Sequence, residues 1–336
     1  DIVTLDRVRK ISIQADTDVW LEYAGEKGIH GAILSYLSLK KENFYMVENT
    51  VDGKFFVTAR GWEDLSEILK SYEELQVEIG EELIGEFLQK EEIARDFAGY
   101  YRLYEKYKSD YQIQEILDGN VISGQLKTCC DMGKKASFEE RFTVTEMLLE
   151  AVTERISVFQ KIDEKTEKLY ENLKLLKIFL QEKNSVEAME QFVASRRKAL
   201  DAKICSELLT AEEAAREEEQ IRILEEYFFQ LKELHISDVA EGIEQIGERF
   251  GNVCRLRNEK LEETKKMLEQ AFSFLEECFG EGQELLLFET GLTGDDRCSI
   301  FISQYGCPSY FKHCELLLYS KKENELRKEC RDLLEE

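Results

Sequence analysis

Proline occurs once in 336 residues. A proline inside a helix costs about 3 kcal/mol, so its near absence leaves little to break helices, and long uninterrupted ones are expected. No apolar run approaches the roughly 20 residues that carry a helix across a bilayer, which excludes a spanning helix within these residues. Positive charge is also scarce. Forty-five Lys and Arg stand against 70 Asp and Glu, for a net charge of −25. Phosphate contacts need clustered cations, so neither nucleic acid nor an anionic membrane is expected as a partner, and solubility is the plain reading of the charge. The nine cysteines show no paired spacing, apart from the adjacent Cys129 and Cys130, and nothing resembles a signal peptide. That pattern argues against a disulfide scaffold and for a reducing cytoplasm. A phosphate-binding loop is missing too. "GEKGIHG" (25–31) and "DMGKKAS" (131–137) both fail the spacing of G-x-x-x-x-G-K-[ST]. The chain alone is therefore expected to be inactive on nucleotide and to hold no cofactor.

What the chain does contain is helical periodicity. The expected fold is all-α, with one short β element and an elongated antiparallel helical bundle in the second half. Asp16 or Thr17 can cap a helix with Val19, Trp20, Tyr23 and Ala24 on one face. Ile33, Tyr36 and Leu37 form the inner face of the next. A turn at Asp52-Gly53 leads into a strand at Phe55–Val57, and Trp62, Leu65, Ile68 and Leu69 then fall at helical spacing. Phe97, Tyr100, Tyr101, Tyr104 and Tyr107 make an aromatic stripe, which with no basic flank reads as core rather than as a platform for bases. Periodicity fades over 116–137. Beyond it Leu148, Val152, Ile156, Phe159, Ile162, Leu169, Leu173, Leu176 and Leu180 form a seam, with Thr166 in its one gap, along a helix of roughly 40 residues, about 60 Å. Two amphipathic stretches follow, one through Ile221, Leu224, Tyr227, Phe228 and Leu231. The other starts at a capping Ser237 and runs through Ile243, Ile246 and Phe250 towards Phe279. The expected organisation is a short strand-bearing segment over 1–14, a helical domain over 15–118, long helices over 119–281 and short ones over 282–336.

Few motifs carry chemistry. Cys298, Cys307, His313 and Cys314 are metal-ligand types, but C-x8-C-x5-H-C lacks the short pairs that preorganise a tetrahedral site, so they read as small packed side chains. "LLLFET" (285–290) is an apolar run ending in an acid, and without a phosphate loop it reads as a buried helix turn. His30 and His235 are isolated and read as ordinary histidines. Arg60 is different. Thr58 is a plausible N-cap, which places Arg60 near the second helical position, beside free N–H groups and the positive end of the helix dipole. A cation there is unfavourable by up to about 1 kcal/mol, so an anion should compensate. Glu63 and Asp64, at i+3 and i+4, are internal candidates; an external phosphate, meeting both the guanidinium and the helix N-terminus, is the other.

The stretch "DTDVWLEYAGEKGIHGAILSYLSLKKENFY" followed by "FFVTARGWEDLSEIL" resembles the lid region of MoxR-type AAA+ ATPases. Those proteins show a Trp-containing helix, a "GIH" turn and a "P-x-F-P-T-P-R-S-W-E" segment. Thr58, Arg60, Trp62 and Glu63 match that segment, while Val57 and Ala59 stand where the family has proline. The resemblance covers about residues 1–110 and implies that Arg60 is the sensor-2 arginine, which reaches the γ-phosphate from the lid. The opening "TLDRVRKISI" looks like the end of the AAA+ core, implying Arg7 as an arginine finger towards a neighbouring subunit and 8–13 as the last core strand. The start without Met reads as a cut through something larger. The implied whole is a cytoplasmic bacterial ATPase using ATP and Mg, assembled as a homo-oligomeric ring, with chaperone-like remodelling or enzyme maturation as its role. By analogy its partner is a von Willebrand factor A-domain protein. The rival expectation is a non-catalytic helical scaffold in which Arg60 pairs with Glu63 or Asp64.

Overall fold

The computed structural model describes residues 15–50, 53–120, 123–180 and 184–317. The fold is all-α, with one two-stranded antiparallel sheet among the described residues. The expected strand at 8–13 and the core remnant 1–14 lie outside them, as does the end of the expected 282–336 segment. Among the described residues no helix is long and apolar enough to cross a membrane.

Helix α1 (Thr17–Lys27) starts at Asp16, whose carboxylate accepts the N–H groups of Asp18 and Val19. It stops at Gly28, which adopts the left-handed conformation at φ 66°. Trp20 and Ala24, one turn apart, are buried, but Val19 and Tyr23, expected beside them, are exposed. Each precedes its buried neighbour by about 100° around the helix, enough to turn it to solvent. Helix α2 (Gly31–Leu39) buries Ile33, Tyr36 and Leu37 completely. A hairpin follows, β1 (Met46–Thr50) and β2 (Gly53–Val57), with Met46 opposite Val57 and Thr50 opposite Gly53. The sequence pattern disclosed only β2; β1, "MVENT", has no alternation strong enough to announce it, and Asp52 lies outside the described residues.

Helices α3 (Ala59–Glu74), α4 (Glu81–Phe87) and α5 (Glu91–Tyr111) build the core over α2. The Trp62 ring stands edge-on to Phe97 at 5.3 Å and lies 5.9 Å from Tyr36. Phe97, Tyr101 and Tyr104 are buried and Tyr100 and Tyr107 half-buried, so the aromatic stripe is core. Helices α6 (Ile113–Asp118) and α7 (Ser123–Gly133) occupy the region of faded periodicity. In α7 the inner positions include Cys129 and Cys130, small side chains that bury well yet give little amphipathic signal.

Helix α8 (Phe138–Leu180) is the long helix of the seam. Thr166, in the gap, donates its hydroxyl to the Ile162 carbonyl at 2.8 Å, which satisfies it within the helix. The next helix, α9 (Ser185–Cys205), capped by Asn184, is not among the stretches expected from the sequence pattern. Helix α10 (Ala211–Glu233) opens with a reciprocal cap between Thr210 and Glu213. Lys203 pairs with Glu217, and Arg197, earlier in α9, with Glu225 further along α10, so the two helices run antiparallel. Helix α11 (Val239–Phe279) is capped by Asp238, not Ser237. The Asp238 carboxylate accepts the N–H groups of Ala240 and Glu241, while the Ser237 carbonyl receives the Ser185 N–H. Helices α12 (Gln283–Gly294), α13 (Asp296–Tyr305) and α14 (Pro308–Leu317) complete the described chain.

Compactness divides the chain into two units that interleave in sequence. The first comprises residues up to Ala151 with Gln270–Gly291, the second Val152–Glu269 with the residues from Leu292 onward. The expected cuts at 118/119 and 281/282 do not coincide with this division, because α8 and α11 are long enough to supply residues to both units. The second unit's core gathers Leu169, Leu176, Phe192, Leu200, Leu224 and Leu231.

Two glycines near the start of the first unit should respond oppositely to alanine. A methyl group at Gly31 would overlap the Glu150 carboxylate, which Tyr104 holds at 3.1 Å, whereas Gly25 faces open space. Gly31→Ala is expected to lower stability by about 1–2 kcal/mol, through loss of that hydrogen bond. Gly25→Ala is expected to raise it by about 0.5–1 kcal/mol, the helix-propensity difference. Urea denaturation followed by circular dichroism measures both.

Candidate functional site

Arg60 lies on α3, and what fixes α3 fixes Arg60. The C-terminal half of α3 grips the turn Gly28–Ile29–His30–Gly31 between α1 and α2. Ser66, Lys70 and Glu73 fall at i, i+4 and i+7, one stripe on the helix. The Ser66 hydroxyl accepts the His30 N–H at 2.9 Å, the Lys70 ammonium donates to the Gly28 carbonyl, and Glu73 Oε1 meets His30 Nε2 at 2.8 Å. The other ring nitrogen, Nδ1, accepts the Ala32 N–H at 3.1 Å and so caps α2. With Nδ1 accepting, the ring proton sits on Nε2 and points at Glu73.

Glu73 collects further donors from α5. The Tyr101 hydroxyl donates to Oε1 at 2.8 Å, and the Lys108 ammonium lies 3.2 Å from Oε2. Burial pushes the Glu73 carboxyl up, but the hydrogen bonds from the His30 ring and the Tyr101 hydroxyl and the nearby Lys108 charge outweigh it and hold it at about 2. A second glutamate of this unit shifts the other way. Glu146, on α8, is raised to about 7 by burial and then by the neighbouring Glu150 carboxylate.

The N-terminal end of α3 is fixed by different means. The Thr58 hydroxyl accepts the Gly61 N–H at 3.3 Å, which makes it the cap. Trp62 is fully buried, and its indole N–H donates to the Phe44 carbonyl at 3.1 Å. Between these two anchors Arg60 occupies the second helical position with its side chain 88% exposed. Its ion pair is with Asp64 at i+4, not Glu63, and runs through Nε at 3.5 Å. An exposed pair of this kind contributes about 0.3–0.5 kcal/mol, a weak hold on the guanidinium. The first backbone N–H groups of α3 have no acceptor within the helix. Arginine fork and helix N-terminus therefore stand together on the surface, a combination suited to phosphate. The shallow depression nearby, lined by Gly80, Glu81, Glu82, Gly85, Leu88, Gln89, Glu91 and Ala94, is acidic and unsuited to it.

The remaining candidates are placed as follows. Arg7 lies outside the described residues. Cys298 meets the Thr153 hydroxyl at 3.4 Å, and Cys307 donates to Glu269 Oε1 at 3.3 Å. Among the described residues no three His, Cys, Asp or Glu side chains are grouped to hold a metal ion. Glu289, the acid of "LLLFET", is buried within α12. His235 is exposed and its Nδ1 bonds to the Glu233 carbonyl. His30 is the residue that sequence reasoning undervalued. A signal was available, since Ser66, Lys70 and Glu73 form a polar stripe beside the apolar stripe of Trp62, Leu65 and Leu69. Comparison of the chain with protein families, with curated proteins and with solved structures finds no match.

The two glutamates make opposite contributions to stability across pH. Glu73 is depressed in the folded state, so its contribution is full above its ordinary value of 4.5 and is lost as pH falls towards 2. Glu146 is raised, so its contribution is present below about 4.5 and is lost as pH rises through about 7. Glu73→Gln is expected to cost on the order of 2–3 kcal/mol at pH 7 and to flatten the acid limb between pH 5 and 2. Glu146→Gln is expected to gain on the order of 2 kcal/mol at pH 8 and nothing at pH 4. Urea titrations at stepped pH test both signs.

Proposed function

We propose that residues 15–118 serve as the nucleotide-sensing lid of a cytoplasmic MoxR-type AAA+ ATPase, and that the long helices beyond dock a partner. The observation that carries this reading is the exposed guanidinium of Arg60 at the capped start of α3, with a weak ion pair to Asp64 among the described residues. The reading places the phosphate-binding segment outside these 336 residues. ATP with Mg, bound there, would supply the phosphoryl group to be transferred. Arg60 would approach from the lid, its fork and the free N–H groups of α3 neutralising charge on the γ-phosphate. Because α3 is pinned at Trp62 and again at Glu73, displacement of Arg60 would move α1, α2 and α5 with it. That is how a change at one phosphate would become rotation of the lid. In the same reading Arg7 reaches the neighbouring subunit's nucleotide across a homo-oligomeric ring. The helical arm would engage a von Willebrand factor A-domain protein for chaperone-like remodelling or enzyme maturation, which is argument by analogy.

A second reading, a helical interaction scaffold without nucleotide chemistry, is favoured by the Arg60–Asp64 pair itself, which gives the arginine an internal partner. One substitution separates them. In the longer polypeptide that the first reading requires, Arg60→Ala is expected to lower ATP turnover by about tenfold or more while nucleotide still binds. Turnover unchanged in that variant, or no ATPase activity in the unsubstituted protein, decides for the scaffold.

A further inference from the structure

The hairpin of the first unit has one closed edge and one open edge. Thr50 stands opposite Gly53, the pair that closes the ladder and exchanges both of its backbone hydrogen bonds. Alternation from that pair turns the backbone of Glu48 and Met46 towards β2 and that of Val47 away from it. The same alternation turns Phe56 of β2 outwards, and its carbonyl there accepts the Gln89 N–H at 3.2 Å, so the β2 edge is covered by the chain between α4 and α5. On the β1 edge the Val47 N–H and C=O meet no partner among the described residues. The side chains beside that edge are apolar and open to solvent. Tyr45 is 52% and Val47 51% exposed, and Phe56, opposite Val47, is exposed as well. Glu48, the one acid of β1, has its charge answered within the unit by Lys90 Nζ at 2.6 Å. An open strand edge of this kind is a template for another strand, and two strands alone make a marginal sheet.

We propose that the β1 edge is an interface between two copies of this chain, joined about a two-fold axis at Val47 into a four-stranded antiparallel sheet. The strand is complementary to itself in that register. Val47 exchanges both outward backbone bonds with Val47 of the partner subunit, and Tyr45 pairs in the same way with Asn49 of the partner subunit. Glu48 then lies beside Met46 of the partner subunit, an uncharged neighbour. The adjacent register, centred on Glu48, sets two glutamates against each other at the closest side-chain spacing, and like charges placed so are destabilising. Charge therefore selects the register centred on Val47. In it the two Val47–Phe56 pairs form one apolar strip across the four strands. The contact is isologous, the same patch on both copies, whereas a ring joins unlike faces. The inference thus stands apart from the nucleotide-sensing reading.

The test is sedimentation velocity of the full chain with reductant present, which keeps the exposed Cys205 from cross-linking copies. The expected result is a monomer–dimer equilibrium that moves towards dimer with protein concentration. Added salt should move it the same way, since each copy carries a charge of −25 and salt screens their repulsion. Val47→Pro removes an outward N–H without touching the ladder to β2, and Val47→Lys sets two ammonium groups on the axis. Each is expected to weaken association about tenfold or more, with circular dichroism checking that the helices are kept. Deuterium uptake over residues 45–49 of the unsubstituted chain should fall as the dimer forms. A monomer at every concentration overturns the proposal, and so does a dimer or larger ring that both folded variants retain. If neither variant folds, the exchange measurement decides, and uptake over 45–49 that is the same in monomer and dimer overturns it.

Discussion

The hydrogen bond from His30 to Glu73 is the contact on which the first unit turns. One imidazole ends the open N-terminus of α2 with Nδ1 and reaches α3 with Nε2, while its backbone N–H is taken by Ser66. The carboxylate it meets also receives a tyrosine and a lysine from α5. Three helices are thus joined through two side chains, and each polar atom in the exchange is satisfied. In a half-buried setting such a network is demanding, since the loss of one member leaves the others desolvated without a partner. The residues around it follow from that requirement. Gly28 reverses the chain at positive φ and Gly31 leaves room for a carboxylate where a methyl group would intrude.

The same helix that closes this network presents Arg60 at its other end, and the two ends are built differently for a physical reason. Around Glu73 the charge is surrounded by donors and its carboxyl is held far below its ordinary value. Around Arg60 there is a cap, a buried indole behind it and a single loose acid beside it. A charge enclosed by partners holds a fold together, while a charge on a rigid support with partners to spare is available to something else.

Much of the helical framework was legible because its signals are local. Asp16 and Thr58 are caps readable from a few residues, and the seam of α8 repeats over enough turns to be unmistakable. Elements without such signals escaped. β1 pairs across a turn and has little pattern of its own, α9 follows a helix already long, and α7 turns inward on cysteines that no amphipathic count weighs heavily. His30 was legible as a helix boundary within "GIHG" but not as a junction, because its partners Ser66 and Glu73 are distant in sequence and only the folded chain brings them near. For Arg60, sequence gave its helical position and its acidic neighbours. That Asp64 takes the guanidinium through Nε alone depends on rotamers that no spacing rule specifies.

The interleaving of the two units bears on how the chain is made. Residues up to Ala151 leave the ribosome well before Gln270–Gly291, which completes the first unit, and everything between belongs to the second. At usual elongation rates the delay is on the order of ten seconds. During that interval the nascent chain shows the apolar surface that Leu285 and Phe288 of α12 will later help to cover. Biogenesis is then a period when apolar surface of the first unit awaits its cover, a target for holdase chaperones, and a slower-translated middle segment would lengthen it.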